Sequence, residues 1–594
     1  MAESPLAKSE GVVECVVFSK GKALPSSTTV ISADVVYRIN GISKATVVLD
    51  DGYMATGKFP ICEGDELKPG TEITIKAGYA TKLDVVFKGV VVKLGISISR
   101  SGRSCTKIEC RDKAVAMTRA RKNANFLNKN DDSIIKEICG NYGVSVNVST
   151  GGISHKEMLQ YYCTDWDFIM ARTEANGCWL INDKDGISIK KIAADGGPDL
   201  ALTWGTDIIE FNAYADATYQ VKKVEARAWD VSKQDVITGK SSQQNLMNVG
   251  NLDSGSMAKV LNAPSSLIQI NSLVEKSELD TWAKAEQLKN ELSRICGYVT
   301  CVGSLKAKLG GMVELKYLGD RFNGKALVSG IHHHMEPGEW TTKISFGIEK
   351  SWHVEKFDVE APSCSGYNCG VSGLLTGVVI QIHDDPEKMN RVKVKIPIMQ
   401  NEQEGVWARL GGPYASSGVG CLMYPEVGDE VILGFFNADP SCAVILGSLY
   451  SASKAPPKPL EQANNIKMLL TREKLSFEFN EEKKTITIKT PGNRNFVLDD
   501  DKKKITLDDS SNTVELSDSG VKIKTSKDVT FDVTGKFKVD SKGGISLTST
   551  NDLKAEGMNV NLNAKVGLTA KGNASAELSA SGQTTIKGAM VMIN

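Results

Sequence analysis

Val521, Val529, Phe537, Ile545 and Leu553 stand at intervals of eight residues, each followed two residues later by Ile523, Phe531, Val539, Leu547 and Ala555. One residue then drops out of the period. The ladder resumes with Val560, Leu568, Ala576, Thr584 and Met592, accompanied by Leu562, Ala570, Leu578 and Ile586. Lys, Asp, Ser, Thr, Asn and Gly fill the intervening positions, so each unit offers one short strand with an inward apolar pair and a polar turn. Such a strand cannot stand alone, because ordering each residue costs about 1–2 kcal/mol of backbone entropy. It must stack on copies of itself. Stacking within one chain makes a β-solenoid, and stacking between chains makes an intertwined triangular prism. The period alone does not choose between them.

Either arrangement pairs nearly every interior backbone group with a neighbouring strand and leaves the long sides of a rod without free edges. At ~4.8 Å per stacked strand, an intertwined trimer of about nine octads per chain is on the order of 40 Å long. Such a rod resists axial load. Upstream, Phe477, Ile486/Ile488, Phe496/Leu498, Ile505/Leu507 and Val514/Leu516 recur at a looser spacing, which predicts wider strands at the base of the rod. Ala570, Ala574 and Ala576 predict a taper toward the C-terminus.

The rest of the chain is of a different kind. Residues 10–125 alternate in short apolar and polar runs broken by Gly, Asp and Ser, a β-rich pattern. Three helices are expected. The first covers DDSIIKEICGNYG, capped by Asp131 or Asp132, with Ile134, Ile135 and Ile138 on one face and Gly140 ending the turn. The second covers TDWDFIMARTEANG, with a Thr164/Asp167 capping-box-like pair and Gly177 as the residue past its end. The third opens at Ser277, carries Trp282, Ala285, Leu288, Leu292 and Ile295 at helical spacing, and stops at Gly297. A hairpin is expected to turn at Asp185-Gly186. Residues 361–371 read as a linker, 372–452 as a small barrel of the OB type with about five short strands, and 453–465 as a stiff Pro-rich linker. Residues 466–520 then form the base of the rod and 521–594 its octad part.

At 594 residues the chain exceeds one hydrophobic core. Lys plus Arg equal Asp plus Glu at 71 each, so no net field draws the whole chain to nucleic acid or an anionic membrane. OB barrels often bind nucleic acid. Here residues 372–450 hold five basic residues, Lys388, Arg391, Lys393, Lys395 and Arg409, against nine acidic ones, which opposes phosphate binding. The N-terminus lacks the basic start and unbroken apolar run of a secretory signal, and nowhere do 18 apolar residues run together. Assembly in the cytoplasm is therefore expected. Thirteen scattered cysteines with no C-x-x-C pair fit reduced thiols; Cys105/Cys110, Cys296/Cys301 and Cys364/Cys369 come nearest to ligand pairs.

No G-x-S-x-G elbow, H-E-x-x-H helix or complete Walker A motif occurs. Thr238-Gly239-Lys240-Ser241 copies only the end of a phosphate loop, and Asn182–Gly186 reads better as a hairpin turn than as a calcium loop. In a strand, His332 and His334 of the run His332-His333-His334 face one side and His333 the other. Only two could then meet one ion without outside help, so a structural or solvent-facing role is expected, with no metal and no cofactor.

The segments GVVIQIHDDPEKMNRVKVKIPI, VWARLGGPYASSGVG and YPEVGDEVILGFFNADPSCAVILGSLYSA, together with FKGVV, CRDKAVAMTRAR and YYCTDWDFIMARTEANGCWL, carry a resemblance. Through them the chain resembles the VgrG spike family of type VI secretion systems and extracellular contractile injection systems, itself similar to phage tail hub and needle proteins. Asn390 departs from the family, which commonly has Gly before Arg391; Asn tolerates positive φ, so the turn should survive. The resemblance implies a mainly β protein: residues 1–360 a hub of two related β-barrels decorated by helices, then the OB-type barrel, then an intertwined trimeric triangular β-prism, or β-helix. It implies a homotrimer whose six hub barrels seat on a hexameric inner tube among baseplate proteins.

The expected function is mechanical, that of a central spike secreted or injected on sheath contraction, making transient contact with a target membrane and binding no nucleic acid. The needle core is expected to be Val521, Ile523, Val529, Phe531, Phe537, Val539, Ile545, Leu547, Leu553, Val560, Leu562, Leu568, Leu578 and Ile586. At the blunt end Met590, Val591, Met592, Ile593 and Asn594 would leave unpaired edges and apolar side chains, which predicts a capping protein. The resemblance suggests a PAAR-type tip protein with linked effectors. About 15 residues between Tyr450 and Ile466 leave no room for an inserted hydrolase, and the ladder runs to the last residues, so catalysis is not expected. The competing readings are a β-helical adhesin or receptor-binding fibre and a cell-wall hydrolase.

Overall fold

In the strand Val30–Arg38, Ala33, Val35 and Tyr37 are buried while Asp34 and Val36 face the other side, the period-two signature of a strand with one covered face. The same alternation builds most of the N-terminal half. The computed structural model describes residues 3–8, 11–80, 82–191, 197–271, 274–356, 358–399 and 405–593. It divides into two units, Met1–Leu449 and Tyr450–Asn594.

In the first unit, strands β1 (Val13–Ser19), β2 (Val30–Arg38), β3 (Lys44–Asp50), β4 (Glu72–Tyr79), β5 (Lys82–Ile98) and β6 (Ser104–Arg111) form one antiparallel group. A second group comes from β7 (Ile208–Ala215), β8 (Ile295–Val302), β9 (Gly324–Glu336) and β10 (Glu339–Phe346). The two groups are continuous. β9 pairs antiparallel with β2, His332 opposite Val36 and His334 opposite Asp34, which gives the order β7-β8-β10-β9-β2-β3-β6-β5-β4-β1 within a 14-stranded sheet. Val35, Val47, Phe87 and Ile108 from the first group share a core with Val299, Ile344 and Phe346 from the second.

Three long helices decorate the sheet. α1 (Asp131–Gly140) is capped by Asn130, whose side chain accepts from the Ser133 N–H, one residue before the expected Asp131 or Asp132. Asp131 is instead buried, accepting from Arg172 Nε at 2.8 Å and Asn176 Nδ2 at 2.7 Å. Burial works against its charge, but these partners prevail and hold the carboxyl below its ordinary range. Gly140 is the last helical residue, and the left-handed turn falls at Gly143. α2 (Asp165–Ala175) starts as expected, with Thr164 Oγ1 accepting from the Asp167 N–H, and Gly177 follows it with φ +65°. α3 (Lys276–Leu292) is capped by Glu275 and Glu278 acting reciprocally rather than by Ser277. It ends before Ile295, which opens β8. Gly297 lies inside β8, where a Cβ would stand 2.2 Å from Asn212 O; close strand contact, not helix termination, requires the glycine.

The expected hairpin forms between Cys178–Asp183 and Gly186–Lys191, but Asp183 pairs with Gly186, so the turn residues are Lys184-Asp185. The polar stretch after residue 233, ambiguous in sequence, supplies Asp235–Ser242 and Ser265–Ile270 to a three-stranded sheet with Lys223–Asp230 under α3. Arg121 reaches the carbonyls of Asp358, Val359 and Glu360, tying this stretch back onto the body of the first unit.

β11 (Leu375–Gln381), β12 (Val392–Lys395), β13 (Val406–Leu410), β14 (Glu430–Phe435) and β15 (Ala443–Ser448) close into a five-stranded barrel in the order β11-β12-β13-β15-β14. Val379, Val392, Val394, Ala408, Val431, Leu433 and Ile445 fill it. Asn390 has φ +56°, so it does adopt the conformation that glycine would otherwise supply. Asp385 organises the same loop by accepting from the N–H groups of Glu387, Met389 and Arg391 and from the Arg391 guanidinium at 2.7 Å. The segment read as a linker after residue 361 is docked on the barrel, with Cys364 buried against Ala438 O and the Val371 N–H donating to the same carbonyl.

The second unit opens with an antiparallel meander of seven short strands, β16 (Ile466–Leu470), β17 (Ser476–Asn480), β18 (Thr485–Lys489), β19 (Asn495–Asp499), β20 (Lys504–Asp508), β21 (Asn512–Ser517) and β22 (Gly520–Thr525). Their register lines Phe477, Ile488, Phe496, Leu507, Val514 and Ile523 into one cross-strand row and Phe479, Ile486, Leu498, Ile505, Leu516 and Val521 into a second. The irregularly spaced residues upstream of the ladder are thus two continuous apolar rows, and Val521 and Ile523 are their last rung. Among the described residues no strand is assigned after Thr525.

Candidate functional site: the apolar ladder

Beyond Thr525 the backbone bends at Ser526-Lys527, Thr534-Gly535, Lys542-Gly543, Thr550-Asn551 and Met558, then at Lys565-Val566, Asn573-Ala574, Ser581-Gly582 and Ala589-Met590. The interval is eight residues throughout except for the step from Met558 to Lys565, which is seven. The bends therefore carry both the period and the single slip of the apolar ladder. Each octad is a short extended segment between bends, polar at the first four and apolar or mixed at Met558, Lys565-Val566, Asn573-Ala574 and Ala589-Met590.

Every needle-core residue expected from the sequence lies on this track or on β22, and every one is exposed in the single chain. Phe531 is 68% exposed, Phe537 63%, Leu547 73% and Leu578 76%. Phe531 and Phe537 touch each other, with ring centroids 5.7 Å apart, and that is a small fraction of what two such rings bury in a core. Among the described residues of the second unit, no apolar side chain is buried. Met590, Val591, Met592 and Ile593, expected from the sequence to meet a tip protein, are likewise exposed, while Asn594 lies outside the described residues.

The motifs that hinted at chemistry have structural explanations. In Thr238-Gly239-Lys240-Ser241, a Cβ on Gly239 would stand 2.4 Å from the Leu279 carbonyl carbon, and the Lys240 N–H donates to the Asp280 carboxylate, where a phosphate would be repelled. Asn182 is buried, its carbonyl oxygen accepting from the Ser43 N–H and hydroxyl, and Asp183 accepts from the Asp185 N–H inside the hairpin. The thirteen cysteines are free thiols. Burial pushes Cys110 and Cys301 up to about 12, so these are inert core residues.

The histidine run occupies β9 as a strand requires. His333 points into the core and its Nδ1 bonds Thr342 Oγ1 at 3.0 Å; burial lowers its pKa to about 3, which keeps it neutral. His332 and His334 share the opposite face, and the outside help the sequence did not reveal comes from β2. Asp34 Oδ1 lies 2.8 Å from His332 Nε2 and 2.8 Å from His334 Nδ1. The His332 bond, aided by His334 against the cost of burial, holds the Asp34 carboxyl below its ordinary range. Burial opposes charge on His334, but the carboxylates of Asp34 and Glu336 outweigh it and raise this imidazole. No helix among the described residues is long and apolar enough to cross a membrane.

The family described as the Alg8 N-terminal domain matches residues 9–337, more than half of the chain, and the type VI secretion system/phage-baseplate injector OB domain matches residues 375–450. Over 99 residues the chain is 33% identical to the actin cross-linking toxin VgrG1 and 32% identical to the type VI secretion system spike protein VgrG3, both of Vibrio cholerae. Each match covers 16% of this chain, and the chain spans about a tenth of the length of these relatives (9% and 10%). Among solved structures, a 43 kDa tail protein of a Shewanella oneidensis prophage aligns with 57% of this chain and 98% of its own at 13% identity and a TM-score of 0.44. An E. coli component of the type VI secretion system aligns with 73% of this chain and 99% of its own at 14% identity and a TM-score of 0.36. Matched over residues 9–337, more than half of its length, the chain belongs to the family of the Alg8 N-terminal domain, and its barrel at 375–450 matches the injector OB domain of type VI secretion systems and phage baseplates.

Proposed function

We propose that three copies of this chain wind their C-terminal ladders into one β-prism and act as the central spike of a contractile injection machine. The observation that carries this reading is the second unit itself, a regular octad track whose apolar pairs all remain exposed in one chain. A single chain leaves that surface to water, and a closed stack of three removes it together with the unpaired backbone groups. The hub and barrel are then the collar that seats on a hexameric tube and meets baseplate proteins. The prism transmits axial force to a target envelope and needs no chemistry of its own. The exposed Met590–Ile593 end supports a capping partner, in this reading a PAAR-type tip protein with effectors attached. Secretion follows from sheath contraction.

Native mass measurement of the full-length protein tests the proposal. A species near three times 64.1 kDa is expected. A stable, soluble 64.1 kDa monomer would remove its centre.

A further inference from the structure

We propose that Asp34, His332 and His334 form a binding site for one divalent transition-metal ion, such as zinc, that clasps the two strand groups of the hub together. One donor atom from each residue lies within 4.8 Å of the other two. The three come from two strands paired by backbone hydrogen bonds, with Asp34 directly across from His334. His332 stands two residues along on the same face, and Asp34 and His332 are 298 residues apart in sequence.

Two imidazoles and one carboxylate are a ligand set for borderline divalent ions, with a fourth position left for water or another donor. Ligand atoms on a tetrahedral ion with bonds near 2.1 Å stand about 3.4 Å apart. Asp34 Oδ1 is 2.8 Å from each imidazole nitrogen, so opening these contacts by roughly half an ångström admits the ion. Rotations of three side chains that are each about one third exposed accomplish this without moving backbone.

The surroundings hold the donors in place. His334 Nε2 lies 3.1 Å from Glu336 Oε1, so its Nε2–H can donate to that carboxylate while Nδ1 faces the site, the outer carboxylate arrangement that orients metal-bound histidines. His333, buried on the opposite face, locks the register, because a slip of one residue would carry it into solvent and turn His332 and His334 into the core. Lys343, across from His332 on β10, leans away over the Tyr298 ring and toward Glu210, so no fixed cation stands in the site. Binding consists of coordination by the Asp34 carboxylate, His332 Nε2 and His334 Nδ1; a proton on a coordinating nitrogen leaves to solvent from a charged ring or shifts to the other ring nitrogen of a neutral one.

The test uses the full-length chain after removal of metal with a chelator. Cobalt(II) titration is expected to produce a visible absorption band saturating at one ion per chain, displaced by zinc, and zinc should raise the melting temperature of the hub. Asp34→Asn, which preserves shape, and His332→Ala should each abolish saturable binding and the zinc-dependent stabilisation. Glu336→Gln should weaken binding by about 10–100-fold. His383→Ala, in the barrel, should change nothing. Circular dichroism of the metal-free variants shows that they are folded. Absence of saturable cobalt or zinc binding in the wild type, or retention of wild-type binding in folded Asp34→Asn, overturns the proposal.

Discussion

Replacing Phe537 by alanine probes the ladder at one of its two phenylalanines. A phenylalanine buries on the order of 200 Å² in a core, and 63% of Phe537 is still exposed in one chain. Roughly 130 Å² per chain is thus left for the assembly to cover, which at ~25 cal/mol per Å² is about 3 kcal/mol. That lies within the range measured for buried Phe→Ala changes. In the proposed prism three copies meet at one height, so the trimer would lose about 9 kcal/mol, six or seven powers of ten in its dissociation equilibrium. Lys538, the next residue, is exposed and pairs with Asp540, a contact worth at most ~1 kcal/mol. The guanidinium midpoint for loss of the trimer, followed by sedimentation, should fall steeply in Phe537→Ala and barely move in Lys538→Ala. Equal midpoints for Phe537→Ala and wild type would show that Phe537 does not enter a shared core, and the reasoning from exposure to assembly would fail.

Two further outcomes are expected. Asp385 is held well below the usual carboxylate range by the Arg391 guanidinium and three loop N–H groups, so its stabilising effect on the barrel is present above the unfolded value of about 3.9 and is lost progressively as pH falls below it toward the lower folded value; thermal melts should show the loss beginning at about pH 4 and continuing down to about pH 2, and Asp385→Asn should be less stable at pH 6 with a flatter profile. Deleting the last eight residues should abolish association with a tip protein, measured by co-purification, while the native mass stays trimeric; unchanged tip binding would refute the role of the blunt end.

The octad period and its slip were legible because a repeat writes its geometry into residue type, and the bends keep the same interval. The five barrel strands and the left-handed Asn390 were legible for the same local reason. Helix boundaries were less so. Asp131 and Asn130 are both good capping residues, and what decides between them is Arg172, which takes Asp131 into the core from 41 residues away. Ile295 and Gly297 continue the pattern of α3, yet they belong to β8, since strand partners at Ala215 and Ala213 capture them. Asp34 could not have been matched to His332 and His334 from spacing. Only the pairing of β2 with β9, the seam between the two strand groups, brings them together.

The seven-residue step between Met558 and Lys565 bears on assembly in another way. A ladder of identical octads is degenerate, since three strands displaced by one whole repeat still match apolar pair to apolar pair, leaving a ragged tip. One short unit removes that degeneracy as a vernier mark does on a scale. In a displaced chain its seven-residue segment would lie beside an eight-residue segment of its neighbours, and every bend between the two would fall out of phase. In the proposed trimer, this irregularity would act as an alignment key, selecting a single one of the sliding registers.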